Sequence, residues 1–158
     1  NAGLFCERGI LVDAQACTND PNIYAVGDCA NGMHMRFGVH TRLESVQNAV
    51  DQATVAAKAI MGEEVSYDAL PWSWSDQYDM KLQMACLLRG FDDCVLRGNM
   101  EDGKFSVCYF KDDQLIAVDS LNAVPDHMAA RRLLAARVSL SREQCIDTET
   151  PLKAYLTL

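Results

Sequence analysis

The sequence lacks the short motifs by which phosphate-binding, hydrolytic and metal-binding proteins are most often recognised. It contains no Gly-x-Gly-x-x-Gly and no phosphate-loop motif, so this chain has no dinucleotide-phosphate cradle of its own. It also contains no Gly-x-Ser-x-Gly, which argues against a nucleophile-elbow hydrolase. None of its seven cysteines forms a Cys-x-x-Cys pair or stands beside histidines at zinc-site spacing. We therefore predict no metal site and assign no catalytic residue.

Long apolar runs and an excess of positive charge are also missing. No run approaches membrane-spanning length and no signal peptide is visible, so we expect no membrane partner. The formal net charge of −8 argues against nucleic acid as a partner. We expect most of the cysteines to be reduced core residues of a cytoplasmic protein. Because the first residue of the 158 is Asn and not Met, we also expect the chain to be part of a longer polypeptide.

Polar side chains form no arrangement typical of an active site. The histidines His34, His40 and His127 have no triad or ligand spacing, and we interpret them as surface or capping residues. The many carboxylates form no distinctive pair, so glycosidase chemistry has no support.

The segment from Thr18 to Ala30 is the most informative part of the sequence. We predict a short buried strand over residues 23–26, followed directly by Gly27 and Asp28. Open α/β sheets bind ligands at the carboxyl ends of their strands. A carboxylate at that position accepts hydrogen bonds from hydroxyls, so a sugar-like chain is its natural partner. A plain turn is the alternative interpretation.

The rest of the first half predicts a second strand, a loop and a long helix. Residues 9–12 are a strand candidate, and residues 31–40, with two glycines and no clear period, are typical of a loop. A helix that ends near Gly62 is indicated by apolar residues spaced three and four apart. Its start is left open between Thr41, which forms a capping-box pattern with Glu44, and Ser45. The apolar positions are Leu43, Val46, Val50, Ala53, Ala57 and Ile60.

A change of composition over residues 63–75 predicts a domain boundary near residue 68. Beyond it, short apolar runs joined by tight turns predict antiparallel strands. These runs are residues 82–88, 94–97, 104–110 and 114–120. A helix follows from Pro125 to about Arg137, and Ser141 to Gln144 predicts a final helical turn. The second half is thus an α+β unit, an antiparallel sheet with helices on one face.

Several motifs together resemble one family. They are Thr18-x-x-Pro-x-Ile-Tyr-Ala-x-Gly-Asp28, Arg42-Leu-Glu-Ser-Val-Gln-Asn-Ala49, Asp51-Gln-Ala53, Pro71-Trp-x-Trp-Ser-Asp-Gln-Tyr-Asp79, Lys81-Leu-Gln83, Arg97-Gly98 and Phe105-Ser-Val107. In this order and spacing they are similar to the C-terminal portion of the ferredoxin reductase family. These are the FAD flavoproteins, such as putidaredoxin reductase, that serve oxygenases and cytochromes P450. The resemblance covers nearly the whole chain.

The resemblance implies a fold and a set of cofactor-binding residues. Residues 1–67 would be an α/β fragment of a FAD-binding domain, and residues 68–158 would be the C-terminal reductase domain. Gly27 and Asp28 would lie at the ribityl chain of FAD, with Asp28 binding it. The backbone of Ser45 and Val46 would face the pyrimidine edge of the flavin. Trp74 would lie beside the isoalloxazine, near the nicotinamide and ferredoxin sides.

The implied activity is that of an FAD-dependent NAD(P)H:ferredoxin oxidoreductase, an enzyme that passes electrons to a [2Fe–2S] ferredoxin. Because the pyrophosphate motif and the nicotinamide domain are absent, we expect the isolated chain to be inactive. One alternative is an interaction module in which residues 68–158 dock a ferredoxin or form a homodimer. In this interpretation an acidic ferredoxin would meet a basic patch of Arg131, Arg132, Arg137 and Arg142. Another is part of a related flavoprotein of the rubredoxin-reducing, nitrite-reductase or apoptosis-inducing-factor-like type.

Overall fold

A computed structural model describes residues 2–157. The chain folds as two compact units that divide between Ala69 and Leu70. The sequence-based boundary lies two residues earlier, between residues 67 and 68. No helix within the described residues is long and apolar enough to cross a membrane.

The first unit contains a three-stranded sheet and one long helix. The strands are β1 (Ile10–Val12), β2 (Ala30–His34) and β3 (Val39–Thr41), in the order β1-β2-β3. β1 pairs with β2 in parallel, and β2 pairs with β3 antiparallel. The helix α1 spans Val46–Ile60. A 3-10 turn at Gly27–Cys29 leads directly into β2.

The prediction of a strand over residues 23–26 is wrong. Tyr24 makes only an isolated bridge with Cys17, and the Ala25 amide donates to the Ala16 carbonyl at 3.1 Å. A strand requires a neighbouring segment that pairs with it over several residues. Residues 23–26 have only a tight turn beside them. Asp28 therefore lies in the 3-10 turn before β2, not at the end of a strand.

The prediction of a loop over residues 31–40 is also wrong, because this segment forms most of the β2–β3 hairpin. Gly32 pairs with Thr41 and His34 pairs with Val39. The turn closes where the Gly38 amide donates to the His34 carbonyl at 2.9 Å, with Gly38 at a φ of +63°. The segment has no apolar alternation because the hairpin is held by its backbone ladder and not by a periodic buried face.

Helix α1 buries its polar side and exposes most of its apolar side. Val46 and Val50 are exposed, whereas Asn48 and Gln52 are buried. The buried amides make local hydrogen bonds, although Asn48 Oδ1 has no partner within the described residues. Asn48 Nδ2 donates to the Leu43 carbonyl at 2.8 Å, and Gln52 Oε1 accepts the Gly27 amide at 2.8 Å. The helix is therefore attached to its own unit by hydrogen bonds rather than by the apolar stripe that predicts it.

The second unit is a five-stranded antiparallel sheet with helices packed on it. Its strands are β4 (Trp72–Gln77), β5 (Met80–Ala85), β6 (Asp93–Asn99), β7 (Lys104–Lys111) and β8 (Gln114–Leu121), in the order β4-β5-β8-β7-β6. The helices are α2 (Val124–Ala135) and α3 (Arg142–Ile146), and a 3-10 segment follows at Leu152–Thr157. The predicted α+β unit is confirmed, and β4 is a strand that sequence patterns did not identify.

The core of this unit lies between one face of the sheet and α2, which packs against β5 and β8. Apolar side chains from alternate strand positions meet the small and branched residues of the helix. The buried set includes Ala85, Cys108, Val118, Ala130, Leu133, Leu134, Cys145 and Leu152. At α3, Ser141 and Gln144 form the predicted capping box.

Arg97 is the one long cationic side chain that this unit buries among its described residues. It forms an ion pair with Asp126 of α2 at 3.1 Å. It also donates to the carbonyls of Cys145 at 3.2 Å and Thr150 at 3.0 Å, and to that of Asp147. A guanidinium has five donors in a fixed plane, so a single side chain ties β6 to α2, α3 and the segment after α3.

Candidate functional site

The Gly27–Cys29 turn lies directly against the start of α1. Gly27 has a φ of +72°, and a Cβ built there would meet the Ala49 Cβ at 3.2 Å. Its amide donates to Gln52 Oε1 at 2.8 Å. Glycine is required here both by the backbone conformation and by the close approach to the helix. The turn and the first two turns of α1 thus form one rigid piece of surface.

Asp28 lies at the exposed tip of this turn. Arg42, which precedes the helix, reaches the Asp28 carbonyl at 3.5 Å and forms an ion pair with Glu44 at 2.5 Å. Arg42 thus contacts the backbone of Asp28, and the Asp28 side chain is exposed beside the start of α1. An exposed carboxylate in that place can accept hydrogen bonds from the hydroxyls of a ligand.

Ser45 is the N-cap of α1, which settles the choice left open by the sequence. Its Oγ accepts the Asn48 amide at 3.2 Å, and its backbone is extended, with φ of −151° and ψ of 149°. The helix begins at Val46, whose side chain is exposed. The amides of the first turn have no intrahelical acceptor and carry the positive end of the helix dipole, which suits an electron-rich group.

The structure brings together four of the five predicted site residues, namely Gly27, Asp28, Ser45 and Val46, within the first unit. The fifth, Trp74, belongs to the second unit. It lies on β4 opposite Gln83 of β5, and its side chain is 42% exposed. Trp72, two residues earlier on the same face, has its ring centroid 5.5 Å from that of Trp74, with the two planes 28° apart.

Two histidines are placed differently from the prediction, because His34 and His127 are buried and not surface residues. His34 Nε2 donates to the Ala69 carbonyl at 3.1 Å, and burial lowers the pKa of its imidazole. Burial, with a smaller contribution from Arg131, lowers the pKa of His127 to about 4. His127 has helical spacing with the buried Ala130 and Leu134, and this spacing is the sequence signal that could have predicted its burial.

The basic patch of the alternative hypothesis is partly engaged within the unit. Arg142 pairs with Asp93 at 2.6 Å and with Asp113 at 2.8 Å. Arg131 lies over the ring of Trp72, with its Cζ 3.9 Å from the ring centroid. Two of the four arginines therefore have partners that an acidic docking protein would have to replace.

Neither a metal cluster nor a disulfide contributes to the site. Within residues 2–157, no group of three or more His, Cys, Asp or Glu side chains is placed to hold a metal ion. The seven cysteines are free thiols. Cys29, next to Asp28, is exposed, and its thiol donates to the Val26 carbonyl at 3.4 Å. The Cys29 side chain, like that of Asp28, is thus open to solvent at this turn.

The α/β unit with this turn and the antiparallel sheet that follows it are each matched by a family model. Residues 1–53 match the family model described as pyridine nucleotide-disulphide oxidoreductase. Residues 72–156, more than half of the chain, match the model described as reductase C-terminal, and the chain belongs to that family.

Individual relatives agree with this assignment. Rhodocoxin reductase from Rhodococcus erythropolis is 46% identical over 151 residues, which are 96% of this chain and 35% of the relative. The crystal structure of a ferredoxin reductase for the CYP199A2 system from Rhodopseudomonas palustris superposes with a TM-score of 0.93 at 44% identity. The match covers 97% of this chain and 38% of that one.

A covalent complex of putidaredoxin reductase with putidaredoxin is also similar, with a TM-score of 0.92 at 35% identity. The match covers 99% of this chain and 37% of that one. This chain therefore spans just over a third of the length of the relatives that it matches.

Proposed function

We propose that this chain is the C-terminal part of an FAD-dependent NAD(P)H:ferredoxin oxidoreductase. In this proposal residues 1–67 end the FAD-binding domain, and residues 68–158 form the C-terminal reductase domain. The observation that carries it is the Gly27–Asp28 turn fixed against the N-terminus of α1, in a chain of the reductase C-terminal family. The enzyme would act in the cytoplasm.

The residues of the first unit fit a flavin. The exposed Asp28 carboxylate is suited to the hydroxyls of the ribityl chain, and Gly27 lets the turn that carries it approach α1 closely. The N-terminus of α1 after Ser45, where the helix dipole is positive, is suited to the electron-rich pyrimidine edge. FAD would supply hydride acceptance from NAD(P)H and the transfer of single electrons. The protein would supply position and electrostatics.

The proposed partner is a [2Fe–2S] ferredoxin that delivers electrons to an oxygenase or a cytochrome P450. Support comes from the relatives, because a reductase of similar fold has been crystallised joined to putidaredoxin. Trp74 is the side chain proposed to lie beside the flavin near this partner. The chain has no dinucleotide-phosphate motif, so we expect it to be inactive by itself and active as part of the full-length reductase.

The test is to replace Asp28 with Ala in the full-length reductase that the proposal requires. A hydrogen bond to a charged group contributes about 1.5–3 kcal/mol, so we expect FAD to bind about 10- to 150-fold more weakly. The measurement is a flavin titration of the apoprotein followed by fluorescence quenching. Glu63→Gln, at an exposed position beyond the end of α1, is the matched control. Unchanged FAD affinity in Asp28→Ala would show that the site is misplaced.

A further inference from the structure

The two tryptophans of the chain form a contact pair at one edge of the second sheet. Trp72 and Trp74 alternate with Ser73 along β4, so both indoles project from the same face of the sheet. β4 is an edge strand that pairs only with β5. A 42% exposed indole on such a strand has few neighbours to fix its orientation. The contact with Trp72, at 5.5 Å between ring centroids, is therefore important for Trp74.

Trp72 is in turn held by two residues of α2. The guanidinium carbon of Arg131 lies 3.9 Å from the Trp72 ring centroid, within the range of a cation–π contact. The His127 ring centroid lies 5.8 Å from that of Trp72, with the planes tilted by 56°. Because His127 and Arg131 are four residues apart, they lie on the same face of the helix, one turn from each other. One turn of α2 thus contacts the ring that contacts Trp74.

The presence of a histidine at this place needs an explanation. The side chain of His127 is fully buried, and neither ring nitrogen has a hydrogen-bond partner within the described residues. An apolar residue would avoid the cost of burying unpaired nitrogens. The imidazole of His127 places a flat ring against Trp72, next to the Arg131 guanidinium that lies over the same indole.

We propose that Arg131 and His127 are positioning residues, which hold Trp72 and through it orient the indole of Trp74. This inference deepens the proposed function and rests on it for the group that Trp74 faces. In that function the orientation of Trp74 decides how one side of the flavin is covered. A turn of α2 outside the cofactor site then sets the geometry of a residue within it.

The experiment uses the indole pair as its own reporter. Because Trp72 and Trp74 are the only tryptophans, an exciton couplet in the far-ultraviolet circular dichroism comes from this pair alone. The Trp72→Phe and Trp74→Phe variants should each abolish the couplet and so assign it. Arg131→Leu and His127→Leu are then compared with the wild type. The matched control is Arg132→Leu, which changes the exposed neighbouring arginine.

We expect Arg131→Leu to increase the population of displaced indoles about 2- to 5-fold, the effect of losing one partly exposed cation–π contact. The couplet should weaken accordingly, and weaken also in His127→Leu, while Arg132→Leu keeps it. Arg131→Lys retains the charge and should restore most of the couplet. In the Trp72→Phe background, where Trp74 is the only tryptophan of this chain, Arg131→Leu should speed the fast decay of tryptophan fluorescence anisotropy.

Unchanged couplets in both Arg131→Leu and His127→Leu would overturn the inference. If Arg131→Leu does not fold, Arg131→Gln removes the charge but keeps an unbranched polar side chain, and an unchanged couplet in that variant would also overturn the inference. The proposed function fails separately. If Trp74→Ala leaves ferredoxin reduction by the full-length reductase unchanged, Trp74 is not beside the flavin. A weakened couplet in Arg131→Leu would still support the positioning role.

Discussion

At the scale of single residues, Gly27 determines how closely the Asp28 turn approaches α1. We expect Gly27→Ala to lower the free energy of unfolding by about 1–3 kcal/mol, because alanine is strained at a φ of +72° and its Cβ would crowd that of Ala49. Gly38 is the control, with a φ of +63° and no atom within 4 Å of an added Cβ. Urea unfolding followed by circular dichroism measures both variants. If Gly27→Ala and Gly38→Ala lowered the free energy of unfolding equally, the crowding against Ala49 would contribute nothing to the effect.

His127 should make the stability of the second unit depend on pH. Burial first, and Arg131 second, lower its pKa from 6.5 to about 4, so the unfolded chain binds a proton more readily than the folded one. The contribution of neutral His127 to the free energy of unfolding is complete above about pH 6.5. It is lost as the pH falls towards about 4, where the free energy of unfolding is lower by roughly 3 kcal/mol.

The measurement is urea unfolding followed by tryptophan fluorescence at a series of pH values, for the wild type and His127→Leu. We expect the slope of unfolding free energy against pH between about pH 4 and pH 6.5 to be smaller in the variant. The same slope in both proteins would contradict the assignment to His127.

Residue types and motifs indicated some local features of the structure and missed others. Gly27 and Asp28 stand out because a glycine followed by a carboxylate has a local conformational meaning. Ser45 was one of two candidates for the cap, since capping preferences identify residue types but do not choose between neighbours. His34 and His127 were misread because burial depends on which segments pack together, and polar residues are usually exposed.

At the scale of secondary-structure elements, Arg97 is the main connection between β6 and the helices. We expect Arg97→Met to lower the free energy of unfolding by about 3–5 kcal/mol, because Asp126 and three backbone carbonyls would lose their buried donor. Arg142→Met is the control, since Arg142 pairs with Asp93 and Asp113 near the surface and should matter much less. Tryptophan fluorescence during urea unfolding reports on the second unit. A similar loss in both variants would contradict the special role of Arg97.

The elements of the second unit other than β4 are predicted well because their signals are local. Short turns join β7 to β8, and the Ser141–Gln144 capping box starts α3. In the first unit the pairing partners decide the outcome. Residues 23–26 have strand composition but only a turn as a neighbour, whereas β2 has little strand character and is flanked by β1 and β3. No local pattern contains that information.

At the scale of the whole molecule, the order of motifs along the chain was the strongest predictor. The resemblance spans both units, and the family models match residues 1–53 and 72–156 in the expected order. Composition and periodicity alone predict only an α/β unit followed by an α+β unit. The flavin assignment depends on the spacing between Asp28, Ser45 and Trp74, which no single element contains.

The contacts of Arg97 also have a consequence for the order in which the second unit folds. Its hydrogen bonds to the carbonyls of Cys145, Asp147 and Thr150 span 48, 50 and 53 residues of sequence. Closing a loop of that length costs chain entropy that local hairpins avoid, so the hairpins of the sheet form earlier on the pathway. We therefore expect the segment after α3 to close later than the hairpins, because Arg97 acquires its full set of acceptors only when the carbonyl of Thr150 is in place.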